Sequence, residues 1–136
     1  MKVLFLCTGN SCRSQMAEGI VNHDFEGKII ADSAGIEPSV VNPNAVEVMR
    51  EIGIDISHHR SKHIQELLEN EYDLIITLCN SAAQKCSVWP KASEVVHMPF
   101  DDPFDVKGTQ EAILAEYRRV RDLIRNNIGK FLTKTK

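Results

Sequence analysis

A cysteine and an arginine, Cys7 and Arg13, lie near the start of the chain with five residues between them. The apolar segment 3–6 precedes this run, and Ser14 then begins a stretch with helical spacing. At a turn from a strand into a helix, the free N–H groups and the positive end of the helix dipole bind an oxyanion. The same field stabilises a thiolate relative to a thiol, so one loop can hold a tetrahedral anion and attack it. The sequence therefore predicts chemistry at an oxyanion, with Cys7 as the nucleophile.

Other residues of this loop support the prediction. Gly9 and Asn10 tolerate the unusual backbone angles that are needed when successive N–H groups point inward. Arg13 offers a planar fork that matches two oxygens of an anion. The alternative is structural, because a cysteine at a strand end often packs as a small core hydrophobe. The strand–loop–helix context favours the functional interpretation.

A second group with possible chemistry is the pair Cys79 and Cys86, which follows an apolar run beginning at Leu74. If the intervening stretch is helical, the separation is about two turns, with both sulfurs on one face and roughly 10 Å apart along the axis. A disulfide requires Cα atoms within about 7 Å of each other. Bonding the two cysteines would therefore require local unwinding.

A third group lies in the segment 100–104, where Asp101 and Asp102 come directly before Pro103. A residue before proline is kept extended, which suits a carboxyl group projected from a loop. Opposite an oxyanion bound to a thiolate, such an acid would protonate the leaving oxygen. The alternative is a turn in which one of the aspartates caps a neighbouring element.

Composition limits the class of protein. The chain has 136 residues and a formal net charge of −3, which predicts one domain and gives no support to nucleic-acid or membrane binding. Because membrane-length apolar stretches and a secretion signal are not found, we expect a cytoplasmic protein. The basic cluster of Arg118, Arg119 and Arg121 is expected on the wet face of a helix.

The four cysteines predict redox or catalytic use rather than a structural disulfide framework. Zinc is the rival explanation. However, the spacings C-x4-C for Cys7 and Cys12 and C-x6-C for Cys79 and Cys86 differ from the close C-x2-C pairs of common zinc sites. We expect neither a metal nor a cofactor.

Short apolar runs alternate with helical patterns along the chain. Strands are expected over Val3–Cys7, Lys28–Ser33, Leu74–Cys79 and Val95–Pro99. Helices are expected near Ser14–His23, Pro43–Ile52, Ile64–Leu68 and Thr109–Leu132. The last of these has an apolar stripe at spacings of three or four, formed by Ile113, Tyr117, Val120, Ile124, Ile128 and Leu132. This alternation predicts an α/β domain with a right-handed, parallel sheet. Ligands of such sheets bind beyond the carboxyl ends of the strands, where Cys7 and Cys79 can meet.

The segment 7–19, CTGNSCRSQMAEG, resembles the phosphate loop of the low-molecular-weight protein tyrosine phosphatases, and more narrowly that of the thioredoxin-coupled arsenate reductases built on the same fold. The segments 32–37, 53–57 and 100–103 support the resemblance, which covers nearly the whole chain. Cys79 with Cys86 is the mark of the reductases. The resemblance implies a single domain over residues 1–136, a three-layer sandwich with a four-stranded parallel sheet.

The resemblance also implies a relay of three thiols. Cys7 would attack arsenate while Asp102 protonates the departing oxygen, and phosphate or sulfate would compete for the site. Cys79 would then attack Cys7 and release arsenite, and Cys86 would attack Cys79, leaving a Cys79–Cys86 disulfide that reduced thioredoxin can reach. We also expect a monomer. The oxyanion-binding residues implied are Thr8, Gly9, Asn10, Ser11, Cys12, Arg13 and Ser14.

Three residues of the loop receive supporting roles by the same resemblance. Asn10 would brace the loop, and the Ser14 hydroxyl would hydrogen-bond the Cys7 thiolate. Cys12 has no place in the relay, and it is expected to be a spectator packing residue or a partner of Cys7 in an off-pathway disulfide.

The chain departs from some of these reductases at a potassium site formed by residues matching Asn10, Glu18 and Ser33, with a threonine and an aspartate. The latter two positions are Arg60 and Lys62 here, and two cations cannot serve as cation ligands. We therefore expect no bound potassium, and we expect Glu18 to pair with a basic residue.

Two features favour the phosphatases, namely the basic segment 59–62 and an aromatic residue, Phe104, after the Asp-Pro step. The segment 37–42 has no aromatic residue, which predicts a weak side activity on phosphate esters. A phosphatase acting through a Cys7 phosphocysteine, with or without redox regulation by its other cysteines, remains an alternative, as does a non-catalytic binding module. The histidines at 58, 59 and 63 are expected to face solvent rather than to bind a metal.

Overall fold

The computed structural model describes residues 1–67, 69–78, 94–103 and 106–135. Its centre is a sheet in which every neighbouring pair of strands is parallel, in the order β2-β1-β3-β4. The strands are β1 (Lys2–Cys7), β2 (Ile30–Gly35), β3 (Leu74–Thr77) and β4 (Val95–His97). The predicted fold class, α/β in one domain with a four-stranded parallel sheet, is confirmed.

Three α-helices are described, α1 (Arg13–Asp24), α2 (Pro43–Glu51) and α3 (Gln110–Thr135). Helix α1 packs on β1, β2 and α3, and α2 packs on α1 and α3. The predicted helix at Ile64–Leu68 is a short 3-10 helix, Ile64–Leu67, in the structure. Within the described part of the chain, no helix combines the length and the apolar character needed to cross a membrane.

The prediction for β2 was two residues too early at each end. The chain is still turning after α1, because the N–H groups of Lys28 and Ile29 both donate to the carbonyl of Phe25. The strand therefore begins at Ile30 and continues to Gly35, where it pairs with Cys7. A period-two apolar pattern does not show this turn.

Helix α2 begins at Pro43, as predicted, and ends at Glu51, one residue before the predicted end. The side chain of Asn42 accepts a hydrogen bond from the backbone N–H of Asn44, and Pro43 occupies the first turn. Gly53, with φ of +79°, follows the helix and supplies the left-handed conformation that ends it.

The core lies between the sheet and the helices. Residues 3–7 of β1 are all buried, as expected for a central parallel strand. The apolar stripe of α3 predicted from its spacing is also buried at Tyr117, Val120, Ile124, Ile128 and Leu132, and it is partly buried at Ile113. Arg121 was expected on a wet face, but it is 7% exposed and donates to the carbonyl of Val48 at 2.7 Å.

Because all four strands run parallel, their carboxyl ends lie at the same edge of the sheet. Leu78, just after β3, donates to the carbonyl of Leu6, and Phe100 donates in turn to the carbonyl of Leu78. Gly35 lies against the loop that follows β1, and a Cβ there would come within 2.6 Å of the Thr8 carbonyl oxygen. Only glycine permits this close approach.

Candidate active site

A cavity of about 180 Å³ opens at this edge of the sheet. The loop between β1 and α1 forms most of its wall. The lining residues are Cys7, Thr8, Gly9, Ser11, Cys12, Arg13, Ser39 and Asp102. Seven of these eight were predicted from the sequence to take part in oxyanion chemistry, and the fold thus brings the first and third groups together.

Cys7 ends β1 with its side chain next to the first turn of α1. Its Sγ lies 2.8 Å from Ser14 Oγ, and Ser14 Oγ accepts a hydrogen bond of 2.8 Å from Asn10 Nδ2. Because Nδ2 of Asn10 donates to the serine oxygen, the hydroxyl proton of Ser14 is not needed by Asn10 and is free to reach the sulfur. The Ser14 hydroxyl thus lies within hydrogen-bond distance of the Cys7 sulfur, at a position that Asn10 helps to hold.

Asn10 adopts a left-handed backbone conformation, with φ of 47°, and is completely buried. Its carbonyl oxygen accepts from Ser61 Oγ at 2.7 Å and from Gln15 Nε2 at 3.1 Å. Its Oδ1 accepts from the backbone N–H of Lys62 at 2.7 Å and from Gln15 Nε2 at 3.0 Å. This set of donors holds a conformation that costs an ordinary residue about 1 kcal/mol or more.

His59 belongs to the hydrogen-bonded group behind the loop, because it contacts Gln15. This differs from the expectation that His59 faces solvent. Its side chain is 9% exposed, and its Nδ1 lies 2.8 Å from Gln15 Oε1. The Nε2 atom of Gln15 faces three acceptor oxygens, so Oε1 accepts and Nδ1 of His59 carries a proton. Burial lowers the pKa of His59, and the nearby Glu18 carboxylate offsets part of this effect.

Glu18 pairs with basic residues, as predicted. Its Oε1 lies 3.7 Å from Lys62 Nζ and accepts a hydrogen bond from Ser33 Oγ, and its Oε2 lies 3.6 Å from His59 Nε2. The ammonium group of Lys62 thus lies beside Glu18, one of the residues that match the potassium site of some related reductases. Among the described residues, no cluster of three or more histidine, cysteine or acidic side chains could hold a metal.

Arg13 lies where it can hold both an anion and the predicted acid. Its Nη2 is 3.2 Å from Asp102 Oδ2, and its Nη1 donates to the carbonyl of Phe100 at 3.1 Å. The neighbouring Asp101 points to the surface, where it pairs with Arg119 at 3.0 Å. The two aspartates therefore differ in environment, since Asp102 lines the cavity and Asp101 faces the surface.

Cys12 lines the same cavity but has a different environment from Cys7. It is 4% exposed, and its Sγ lies 3.5 Å from the hydroxyl of Tyr117 on α3. Burial raises the pKa of the Cys12 thiol to about 11, with smaller opposing effects from Tyr117 and Ser11. Cys12 is therefore a thiol at neutral pH.

One lining residue, Ser39, was not predicted. The segment 37–42 runs beside the loop, since Glu37, Ser39 and Asn42 donate their backbone N–H groups to the carbonyls of Thr8, Gly9 and Ser11. The lack of an aromatic residue in this segment was noticed from the sequence, but its pairing with the loop was not. No aromatic side chain lines the cavity within the described ranges of the chain.

Cys79, Cys86 and Phe104 lie outside the described residues. The described chain reaches Leu78, which is buried and whose carbonyl accepts from Arg13 Nη1 at 3.5 Å. The residue that precedes Cys79 is thus in contact with the loop that carries Cys7.

The fold and this loop define a class of phosphatase-like proteins. Residues 2–136 match the model of the family described as low molecular weight phosphotyrosine protein phosphatase, and the chain belongs to this family. Similar proteins named arsenate reductase are found in Halalkalibacterium halodurans, at 50% identity, and in Bacillus subtilis (strain 168), at 47%. Each alignment covers 95% of this chain and 93% of the relative.

Solved structures give the same picture. The chain is similar to "An arsenate reductase in the phosphate binding state", with a TM-score of 0.85, 34% identity, and 99% of this chain and 98% of that chain covered. It is also similar to a low molecular weight protein tyrosine phosphatase from T. tengcongensis, with a TM-score of 0.83, 34% identity, and coverage of 98% and 99%. The chain is thus similar both to a solved structure named as an arsenate reductase and to one named as a tyrosine phosphatase.

Proposed function

We propose that the protein is an arsenate reductase that converts arsenate to arsenite. The observation that carries the proposal is a cavity with a thiol, an arginine and an acid, Cys7, Arg13 and Asp102, in a chain 50% identical to a relative named arsenate reductase. The family alone would suit ester hydrolysis equally well. The sequence adds Cys79 and Cys86, the thiols that a reduction requires.

In the first step the Cys7 thiolate attacks the arsenic atom and forms a sulfur–arsenic bond. One hydroxyl group of arsenate leaves as water, taking a proton from the carboxyl group of Asp102. Arg13 holds two of the remaining oxygens through its fork of N–H groups. Binding of the anion competes with the present Arg13–Asp102 contact of 3.2 Å, so the substrate itself frees the acid for its role.

In the second step the Cys79 thiolate attacks Cys7 Sγ. A disulfide forms between the two sulfurs, the sulfur–arsenic bond breaks, and its electron pair stays on arsenic, which leaves as arsenite. Cys86 then attacks Cys79, which returns Cys7 to the thiolate and leaves a Cys79–Cys86 disulfide. The contact between Leu78 and Arg13 supports this order, because it tethers the residue before Cys79 to the substrate loop.

The last disulfide is reduced by two electrons from a dithiol protein, and we propose reduced thioredoxin as the donor. Such reductants are maintained in the cytoplasm, which supports a cytoplasmic location for the protein. We propose that these steps need neither a metal nor an organic cofactor.

A phosphatase is the second candidate, and one observation favours it. The groups that hydrolyse a phosphate monoester, Cys7, Arg13 and Asp102, are all at the cavity. However, no aromatic side chain of the described residues is present there to hold an aryl ester. We therefore propose a weak phosphatase side activity.

Steady-state turnover tests the two candidates directly. We expect catalytic arsenate reduction with thioredoxin, thioredoxin reductase and NADPH, followed by NADPH oxidation, and much slower hydrolysis of an aryl phosphate. Glutaredoxin with glutathione serves as the comparison reductant. Rapid ester hydrolysis without arsenate turnover, with either reductant, would establish the phosphatase instead.

A further inference from the structure

Gln15 lies on the first turn of α1, behind the oxyanion loop, and is completely buried. Both ends of its amide are satisfied, since Nε2 donates to oxygens of Asn10 and Arg60, and Oε1 accepts from His59. The mechanism above gives this residue no task. Its hydrogen bonds, however, link it to Cys7 through Asn10 and Ser14.

The first step of this connection is the orientation of the Asn10 amide. Oδ1 of Asn10 receives hydrogen bonds from Gln15 Nε2 at 3.0 Å and from the backbone N–H of Lys62 at 2.7 Å. Neither of these nitrogens can accept a hydrogen bond. The oxygen of the Asn10 amide must therefore face them, and Nδ2 must face Ser14.

The second step is the position of the Ser14 proton. With Nδ2 of Asn10 donating to Ser14 Oγ, the serine hydroxyl is free to donate to Cys7 Sγ, and both contacts are 2.8 Å. In the opposite orientation Oδ1 of Asn10 would face Ser14 and would compete with Cys7 for the proton. The Cys7 thiolate would then lose the hydrogen bond that it accepts from Ser14. Hydrogen bonds to a charged acceptor are among the stronger kinds.

We propose that Gln15 is a positioning residue that acts through Asn10 to aim the Ser14 hydroxyl at the Cys7 thiolate. This inference rests on the proposed function in one respect, that Cys7 is the nucleophile. It can be tested without arsenate or a reductant, so its failure is distinguishable from failure of the proposed reduction.

Two substitutions separate this role from simple packing. Gln15→Met keeps the size of the side chain and removes its hydrogen bonds. Gln15→Glu keeps the shape but replaces the Nε2 donor with an oxygen, which favours the reversed orientation of Asn10. If packing alone mattered, the nearly isosteric Gln15→Glu would be the milder change. If Gln15 orients Asn10, Gln15→Glu is the more severe.

The readout is the rate of alkylation of Cys7 by iodoacetamide as a function of pH, followed by mass mapping in the full-length chain. The midpoint of this profile should rise by roughly one pH unit in Gln15→Glu and by about half as much in Gln15→Met, the size expected for one hydrogen bond to a charged group. Gln15→Glu alone carries the test if Gln15→Met does not fold. An unchanged midpoint in a folded Gln15→Glu variant would overturn the proposal.

A double-mutant cycle with Ser14→Ala shows whether the effect passes through Ser14. Once Ser14 has lost its hydroxyl, neither Gln15 substitution should move the midpoint further. A shift that persists in the Ser14→Ala background would reflect the added charge of the glutamate acting directly on Cys7, and the proposal would be wrong.

Asn22 supplies a matched control on the same helix. Its amide bridges α1 to β2 through hydrogen bonds of 2.8 and 3.0 Å with the N–H and carbonyl groups of Ala31, away from the loop. Asn22→Leu should lower the melting temperature and leave the alkylation midpoint of Cys7 unchanged. If it moved the midpoint as far as Gln15→Glu does, loss of stability would explain both results.

Discussion

The polar groups behind the oxyanion loop differ in kind from those between α2 and α3. Behind the loop, Asn10, Ser14 and Gln15 are neutral, completely buried and joined by hydrogen bonds. Between the helices, Glu51 on α2 forms ion pairs with Arg118 and Arg121 of α3, and the Glu51 side chain is 31% exposed. Both regions connect distant parts of the chain.

The difference lies in what each kind of contact specifies. A neutral hydrogen bond has a donor and an acceptor, so a buried series of them determines where a proton lies. An ion pair at the surface holds two elements together but tolerates changes in geometry and adds little stability for each pair. We therefore expect substitutions at the loop to change chemistry, and substitutions between α2 and α3 to change stability alone.

Cys7→Ser should have the largest effect. A serine hydroxyl of similar size preserves packing but is not ionised near neutral pH, so arsenate reduction and aryl phosphate hydrolysis should both fall to background. The melting temperature should change little. Turnover assays and thermal unfolding on the same sample measure both, and retention of either activity would show that Cys7 is not the nucleophile.

Substitution of Cys79 or Cys86 should separate arsenate reduction from phosphate ester hydrolysis, although both reactions use the same cavity. Cys79→Ala and Cys86→Ala should each abolish multiple-turnover arsenate reduction, because no second thiol can then accept or pass on the disulfide. Hydrolysis of an aryl phosphate needs only the loop and the acid and should remain largely intact. Equal loss of both activities would indicate a structural role for these cysteines instead.

Asp102→Asn should slow aryl phosphate hydrolysis by roughly 10²–10⁴, the usual contribution of general acid catalysis. Asp101→Asn is the matched control, because this neighbouring carboxylate pairs with Arg119 at the surface instead of facing Arg13. A larger loss of rate in Asp101→Asn than in Asp102→Asn would reverse the assignment of the acid.

The residues that line the cavity were predicted from the sequence more completely than the residues behind the loop that hold it in place. The loop from Cys7 to Ser14 is local in sequence, and its residue types follow from what an oxyanion requires. Gln15 and His59 were not predicted to support it, because a contact between residues 44 positions apart depends on the packed fold. A polar residue on a helix can face either solvent or a neighbouring loop, and spacing alone did not distinguish them.

Arg121 illustrates the same limit at the other region. Because it follows Arg118 and Arg119, it was assigned to the wet face of α3. The fold instead brings it over the end of α2, where its side chain is 9% exposed and contacts Glu51 at 3.0 Å. The apolar spacing of α3 correctly predicted the buried stripe. It did not predict that the border of this stripe carries ion pairs.

Glu51→Gln should have the smallest effect and should be confined to stability. Hydrogen bonds from Arg118, joined by those from Arg121, hold the pKa of Glu51 below its usual range despite some desolvation. A carboxyl group with a lowered pKa in the folded state adds stability above its unfolded pKa, and this stability is lost as the pH falls through the folded value. We expect a melting temperature lower by about 2–5 °C at pH 7, with no change in turnover.

The pH dependence and a matched variant make this last prediction specific. The difference in melting temperature between the native protein and Glu51→Gln should shrink as the pH falls below about 4, because the glutamate is then protonated in both states. Glu47→Gln, on the same helix, removes an exposed partner of Arg50 at 3.3 Å and should leave the melting temperature unchanged. If Glu51→Gln also reduced arsenate turnover, the separation of chemistry from stability between the two regions would not hold.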